Sequence, residues 1–223
     1  RETVYQQIRI SPDGNHMAYV TNQSGKRKIW IHDVRSGKRS KIYRKGYKID
    51  QITDYSYPVI AWHPSGEILG YVVEEKGFLL IHFYNLETRE TTTRTLQFFE
   101  KILDMSFSPD RRKLVFSAVV NGQTDIFVFD LASSTNERIT NDLADDFQPR
   151  FIQGMDGIIF SSNRRYDSLY SVVNQPQNNT TTAFSLFVYD YKTKSRKLEK
   201  VSEGNYINHL KAKEEDRDRY LYI

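Results

Sequence analysis

Ile102-Leu103-Asp104-Met105-Ser106-Phe107, then Ser108-Pro109-Asp110, then Leu114-Val115-Phe116 and Asp125-Ile126-Phe127-Val128-Phe129-Asp130, is the stretch whose reading decides the fold. The apolar runs are short, partly alternating and rich in Val, Ile, Phe and Leu, which is the pattern of strands and not of helices. Ser-Pro-Asp between the first two is a type I turn signal: the proline ring presets φ, and the serine side chain can bond back to the backbone. With a further run reaching Ile139, the stretch predicts a four-stranded β-meander.

The same spacing recurs along the chain. Ser11-Pro12-Asp13-Gly14 and His63-Pro64-Ser65-Gly66 repeat the turn, with glycine at the fourth position. From the turn proline to the polar residue that ends the third strand is 21 residues each time: Pro12 to Asp33, Pro64 to Asn85, Pro109 to Asp130. Nine residues separate Ile10 from Tyr19, Trp62 from Tyr71, Phe107 from Phe116 and Phe151 from Phe160. Repeats of roughly 40 to 50 residues with four strands each are the signature of propeller blades, because one meander cannot bury both of its faces. The fold class expected is therefore all-β, a β-propeller or open propeller arc of four-stranded antiparallel blades; an antiparallel sandwich is the competing arrangement.

The predicted blades span about 4–45, 57–96, 102–140 and 147–201, with part of a fifth at 207–223, all in a single domain over 1–223. Arg111 stands where the third turn would place glycine, so either that loop differs or an arginine accepts an unfavourable φ. Blade four has Gln153-Gly154-Met155-Asp156-Gly157 in place of the proline turn. Its third strand also arrives late: Phe160 to Asp190 is 30 residues, against 14 for Tyr19 to Asp33. Sixteen extra residues are expected there, within a polar stretch from roughly Arg164 to Ala183, as a surface excursion. Arg1-Glu2-Thr3 has neither an initiator Met nor a signal-like apolar segment, and the sequence stops inside the fifth unit. The expectation is a fragment whose missing blades come from further chain or from a partner.

The chain carries a net charge of +4 and no cysteine, which excludes thiol catalysis and disulfides. No apolar run approaches the length of a membrane span. Residues 1–50 hold 12 basic and 4 acidic side chains, with Lys38, Arg39, Lys41, Arg44, Lys45 and Lys48 crowding the outer strand of blade one. On an edge strand such charges prevent edge-to-edge pairing, and that reading is preferred here to a nucleic-acid surface, which would interleave Tyr43 and Tyr47 with the cations. There is no HExxH spacing and no Gly-x-Ser-x-Gly elbow, so a hydrolase site is not expected in this chain. His32 and His82 stand at equivalent third-strand positions, as a repeat alone would place them. Asn22, Asn178 and Asn179 fit the glycosylation triplet, a pattern that chance also produces.

Ser11-Pro12-Asp13-Gly14 with Met17-Ala18-Tyr19-Val20, Asp125 to Leu131, Arg138-Ile139-Thr140-Asn141 and Phe160-Ser161-Ser162-Asn163-Arg164 resemble the repeats of TolB-type β-propellers over nearly the whole chain. The resemblance implies a non-enzymatic protein-binding platform of the bacterial periplasm or cell envelope. Because similar repeats also build the gating propellers of prolyl oligopeptidase-like serine peptidases, an accessory propeller for a catalytic domain outside this chain is the alternative. A protein or peptide partner is implied, with no nucleic acid, no cofactor and no metal.

In a four-stranded blade, the link between blades and the loop between strands two and three emerge on the same side. That side is expected to collect Tyr47, Asp54, Tyr55, Tyr57, Asp142, Asp145, Asp146, Tyr206 and the insert with Arg164, Arg165, Tyr166 and Tyr170. Tyr and Arg dominate interface energetics, which makes this the candidate binding surface. Asp142, Asp145 and Asp146 could hold a hard cation through oxygen ligands, but they match no spaced metal loop, and a solvated turn is the preferred reading.

Overall fold

The computed structural model describes residues 2–46, 54, 56–171, 173–202, 210–212 and 220–222. Every regular element among them is a strand, and there is no helix long and apolar enough to cross a membrane. Blade one is β1 (Val4–Ile10), β2 (His16–Gln23), β3 (Lys26–Asp33) and β4 (Arg39–Lys45); blade two is β5 (Val59–Trp62), β6 (Ile68–Glu75), β7 (Phe78–Asn85) and β8 (Thr91–Thr95). Blade three is β9 (Lys101–Phe107), β10 (Lys113–Val120), β11 (Gln123–Asp130) and β12 (Asn136–Arg138). Blade four is β13 (Asp146–Phe151), β14 (Gly157–Arg164), β15 (Thr180–Asp190) and β16 (Glu199–Ser202). Each blade is its own antiparallel sheet with strands in chain order, so no strand crosses between repeats and the sandwich is excluded. A further hairpin pairs β17 (Leu210–Ala212) with β18 (Tyr220–Tyr222). The fifth unit was expected to begin at Ile207 and to turn through 213–218; both lie outside the described residues.

Three kinds of turn set the register. In the first, Gly14 N donates to Ser11 O (2.9 Å), Gly66 N to His63 O (2.9 Å) and Arg111 N to Ser108 O (3.0 Å). Arg111 sits at φ 66°, so the arginine takes the left-handed conformation that glycine takes at Gly14 and Gly66. Blade four closes the same turn from Met155 N to Ile152 O, with the positive φ moved one place back to Gly154. In the second kind, Ser24-Gly25, Lys76-Gly77 and Asn121-Gly122 have both residues at positive φ. That is the type I′ geometry whose twist matches the flanking strands. In the third, the side chains of Asp33, Asn85, Asp130 and Asp190 accept backbone N–H groups from the turn that follows, as in Ser133 N to Asp130 Oδ1 at 2.8 Å. The 21-residue spacing thus joins two side-chain-capped turns.

The described residues gather into two compact units, Arg1–Gln97 and Phe98–Ile223. In the first, Ala18, Val20, Ile29 and Ile31 of blade one pack on Ile60, Trp62, Leu69, Tyr71 and Val73 of blade two. Trp62 Nε1 also donates to Arg9 O at 3.0 Å. In the second, Val115, Ile126, Val128 and Ile139 of blade three meet Ile158, Phe160, Phe187, Tyr189 and Leu198 of blade four. Each fully buried aliphatic or aromatic side chain contributes roughly 1.5–3 kcal/mol, so these blade-to-blade seams are the main source of cohesion within each unit.

Some boundaries differ from expectation or are set by a local cause. β5 starts at Val59 and not at Tyr57, because Pro58 has no N–H for the ladder. β12 stops at Arg138, where Ile139 N and Thr140 N both turn to Ile126 O. β15 begins at Thr180, four residues before Phe184, because Thr180 pairs back onto Arg164. β16 begins only at Glu199, since the backbone just before it is occupied by the insert.

Candidate functional site

The link from blade three to blade four and the end of β14 are joined by one buried arginine. Phe160, Ser162 and Arg164 alternate onto one face of β14, so Arg164 points inward beside a core phenylalanine. Its Nη1 donates to Asp142 Oδ2 (3.0 Å), its Nη2 to both oxygens of Asp146 (2.9 and 2.7 Å) and its Nε to Ser162 Oγ (2.9 Å). The guanidinium lies 5.6 Å from the centre of the Phe160 ring and 5.9 Å from that of Phe187. The side chains of Arg164, Asp142 and Asp146 are all 0% exposed. Burial works against the Arg164 charge, but Asp146 and Asp142 more than offset it, and the guanidinium holds its proton more firmly than usual. Ser117 Oγ of β10 donates to the Asp146 carbonyl at 2.7 Å and fixes the start of β13 from the other side.

A second buried ion pair lies on blade three. Asp125 accepts from Arg138 Nη2 and from Thr140 Oγ1 (3.1 Å), while Thr140 Oγ1 in turn accepts from Ile126 N (2.9 Å). Arg138 also reaches Gln123 Oε1 at 2.9 Å and lies over the Phe127 ring. This gives the Arg138-Ile139-Thr140 segment its physical meaning: a charge, a core side chain and a hydroxyl that together close the end of the blade. Burial pushes the Asp125 carboxyl up to about 6, with repulsion from Asp146 adding to it and Arg138 and Thr140 opposing. On the inner strands, Arg150 Nη1 pairs with Asp104 Oδ2 at 2.7 Å.

Outside this buried frame the insert is held at both ends. Arg165 N donates to Asn179 O, Leu169 N to Arg196 O and Leu198 N to Asp167 O, each at 2.7 Å, and Ser168 bridges Lys197. Leu169 packs against the seam between blades three and four. The insert therefore folds back along the backbone that leads into β16. It also meets the link, where Leu143 N donates to Gln175 Oε1 (3.2 Å), and β14 holds the same link through Asp145 N, which donates to Asn163 Oδ1 (2.8 Å). Large apolar side chains remain uncovered on these segments: Leu143 is 57% exposed, Tyr166 38% and Val173 90%. Tyr166 and Tyr170 meet edge to face at 6.4 Å.

Of the residues expected on one surface, Asp145, Arg165, Tyr166 and Tyr170 occur together on the link and insert of the second unit. Arg164 and Asp146 correct the sequence reading: both are buried in the ion pair, because strand alternation turns them inward. Asp142 is likewise spent on Arg164. Asp54 and Tyr57 belong to the first unit. There Asp54 accepts from Ser56 N at 2.8 Å, and Tyr57 is buried, with its carbonyl taking Arg27 Nη1, so Tyr57 is corrected as well. Tyr47, Tyr55 and Tyr206 lie outside the described residues. Sequence reading passed over Leu143 and Val173, whose signal was an aliphatic side chain in an otherwise polar loop. On blade one, Lys28 and Arg39 approach the Trp30 ring at 5.9 and 6.0 Å, and β4 forms the outer edge of its sheet. A groove of about 880 Å³ along blade four mixes Asp156, Asp167 and Glu199 with Lys192, Lys197 and Lys200, and so presents no field of one sign.

A family model described as the TolB beta propeller domain matches residues 43–195. A protein TolB homolog of Chlorobium luteolum is 25% identical over 127 residues, covering 56% of this chain and 26% of that protein. The crystal structure of TolB from Acinetobacter baumannii superposes with a TM-score of 0.68 at 14% identity, covering 93% of this chain and 45% of that one. The β-propeller domain of the trilobed protease of Pyrococcus furiosus gives a TM-score of 0.55 at 18% identity, covering 92% and 59%. At these identities the two structures share the fold alone with this chain, which spans less than half the length of either TolB relative.

Proposed function

From its membership of the TolB β-propeller family we propose that this chain is a non-enzymatic protein-binding platform of the bacterial cell envelope, with the link and insert of blade four as its contact surface. The observation that carries this reading is that Leu143, Tyr166 and Val173 stand exposed on segments whose backbone is tied down by hydrogen bonds. Exposed apolar groups on a pre-ordered frame bind at a low entropic cost, and Tyr with Arg is the composition of interface anchors. Asp145, Arg165, Tyr166 and Tyr170 are the proposed contact residues, and the partner is a protein or peptide.

The test is capture of partners from an envelope extract by the purified chain, compared with a Tyr166→Ser, Tyr170→Ser, Val173→Ser variant. Loss of a captured protein with an unchanged melting temperature is expected; equal capture by both overturns the assignment of the surface. Periplasmic location rests on the family and is checked by fractionating cells that produce the full-length protein. The second reading, a gating propeller for a peptidase, is favoured by the likeness to the trilobed protease propeller. It requires a Ser, Asp and His set elsewhere in the full-length chain.

A further inference from the structure

The buried groups beneath the proposed surface do not balance. Asp125 on β11, Asp142 on the link and Asp146 on β13 supply three carboxylates, whereas Arg138 on β12 and Arg164 on β14 supply two guanidinium groups. The side chains of Asp125, Asp142, Asp146 and Arg164 are fully buried, and that of Arg138 is 22% exposed. The neutral groups facing them are the hydroxyls of Ser162 and Thr140 and the amide of Gln123, together with the Phe160, Phe187 and Phe127 rings. A surplus negative charge in such a place is costly, and the cheapest remedy is a proton.

We infer that Arg164 is a positioning residue for the link and insert, and that its cluster takes up one proton in mild acid, gripping the insert more firmly when protonated than when fully ionised. The inference rests on the reading of this face as the binding surface. Geometry links the two: β14 ends on Arg164, the next residue anchors the insert through Arg165 N, and Asp142 holds the link segment that meets Gln175. Opening of the insert would let water reach the cluster and return the Asp125 carboxyl towards its ordinary range. The Asp125 carboxyl stands at about 6 when closed and near 4 when solvated, so the closed form binds more protons than the open form between those values. Closure is therefore favoured as pH falls from 7.5 towards 5, the reverse of the usual acid loosening of carboxylate pairs.

The experiment is amide hydrogen exchange on the whole chain between pH 5 and 8, corrected for intrinsic chemistry. Protection of the Arg165 and Leu169 amides should rise roughly fourfold as pH falls from 7.5 to 5.5 and roughly tenfold by pH 5. The Leu96 amide, bonded to Leu79 O in the other unit, should show no such trend. Asp125→Asn should hold protection at its mild-acid level throughout. If that variant does not fold, the ¹³C shifts of the wild-type carboxyls decide: an Asp125 carboxyl titrating below pH 5 overturns the inference. So does protection that is flat with pH or falls with acid. A failed pull-down leaves the titration untouched, whereas a flat exchange profile with intact capture sinks this inference alone.

Discussion

Arg164 Nη2 lies 2.9 and 2.7 Å from the two oxygens of Asp146, across 18 residues of sequence and with neither side chain reaching solvent. A buried pair of this kind is weak evidence for net stability, because desolvation consumes most of the attraction. Its value is geometric: a two-pronged contact fixes the angle between β13 and β14 and holds the chain that leaves β14 at Arg164. The insert begins there, so its path is set by a contact inside the blade.

Arg164→Leu keeps much of the volume but strands two carboxylates. The expected cost is roughly 3–5 kcal/mol, the range for breaking one side of a buried pair. Adding Asp142→Asn and Asp146→Asn should recover a large part of it, because the uncompensated charges disappear. Urea denaturation of the three proteins checks this. If the single variant falls by less than about 1 kcal/mol, the pair is not closed to water as described.

The repeat was readable because its determinants lie close together in sequence. Each turn proline and each capping Asp or Asn acts on backbone within a few residues of itself, so spacing alone revealed them. The nine-residue interval has an equally plain cause: Trp62 and Tyr71 share the blade-two face that meets blade one. Arg164 was misread because an arginine in a polar, asparagine-rich stretch looks solvated. Its partners Asp142 and Asp146 lie 22 and 18 residues away, and only the period of two shared with Phe160 hinted at an inward side chain. The course of the insert was hidden for the same reason: Asp167 and Leu169 find their backbone partners at Leu198 and Arg196, a pairing that no local pattern encodes.

Arg111 holds φ 66° at a place where Gly14 and Gly66 hold 72° and 76°. A side chain in the left-handed region costs roughly 1–2 kcal/mol, while a glycine loses about 0.4–1 kcal/mol through its freer unfolded chain. Arg111→Gly should accordingly stabilise the protein by roughly 0.5–1 kcal/mol, a gain visible as a higher melting temperature. A loss on making this glycine would mean that the arginine side chain has an energetic role that the turn geometry does not reveal.

Asp13 is exposed, yet hydrogen bonds from Ser11 Oγ (2.5 Å) and from the backbone and side chain of Asn15 lower its carboxyl to about 2. A depressed carboxyl contributes its stability above the unfolded value, and that contribution is lost as pH falls through the folded one. The first turn of blade one should thus loosen between about pH 4 and pH 2. The Asn15 amide resonance should move over that interval, and Asp13→Asn should abolish the movement. An Asn15 shift that is complete by pH 4 would show that the hydrogen bonds do not hold the carboxyl down.

The same carboxylate also bears on the neighbouring blade. A Cβ built on Gly66 would stand 3.2 Å from Asp13 Cγ, whereas one on Gly14 meets nothing within 4 Å. Both glycines are left-handed, at φ 76° and 72°, so backbone strain is nearly equal and the two substitutions differ mainly in this contact. Asp13 cannot swing aside freely, because Ser11 and Asn15 hold it. Gly66→Ala should therefore cost more than Gly14→Ala, by roughly 0.5–1.5 kcal/mol on top of the shared strain. A cycle with Asp13→Ala separates the causes: in that background the two glycine substitutions should cost the same. If the excess at Gly66 survives removal of the carboxylate, the steric contact is not its source.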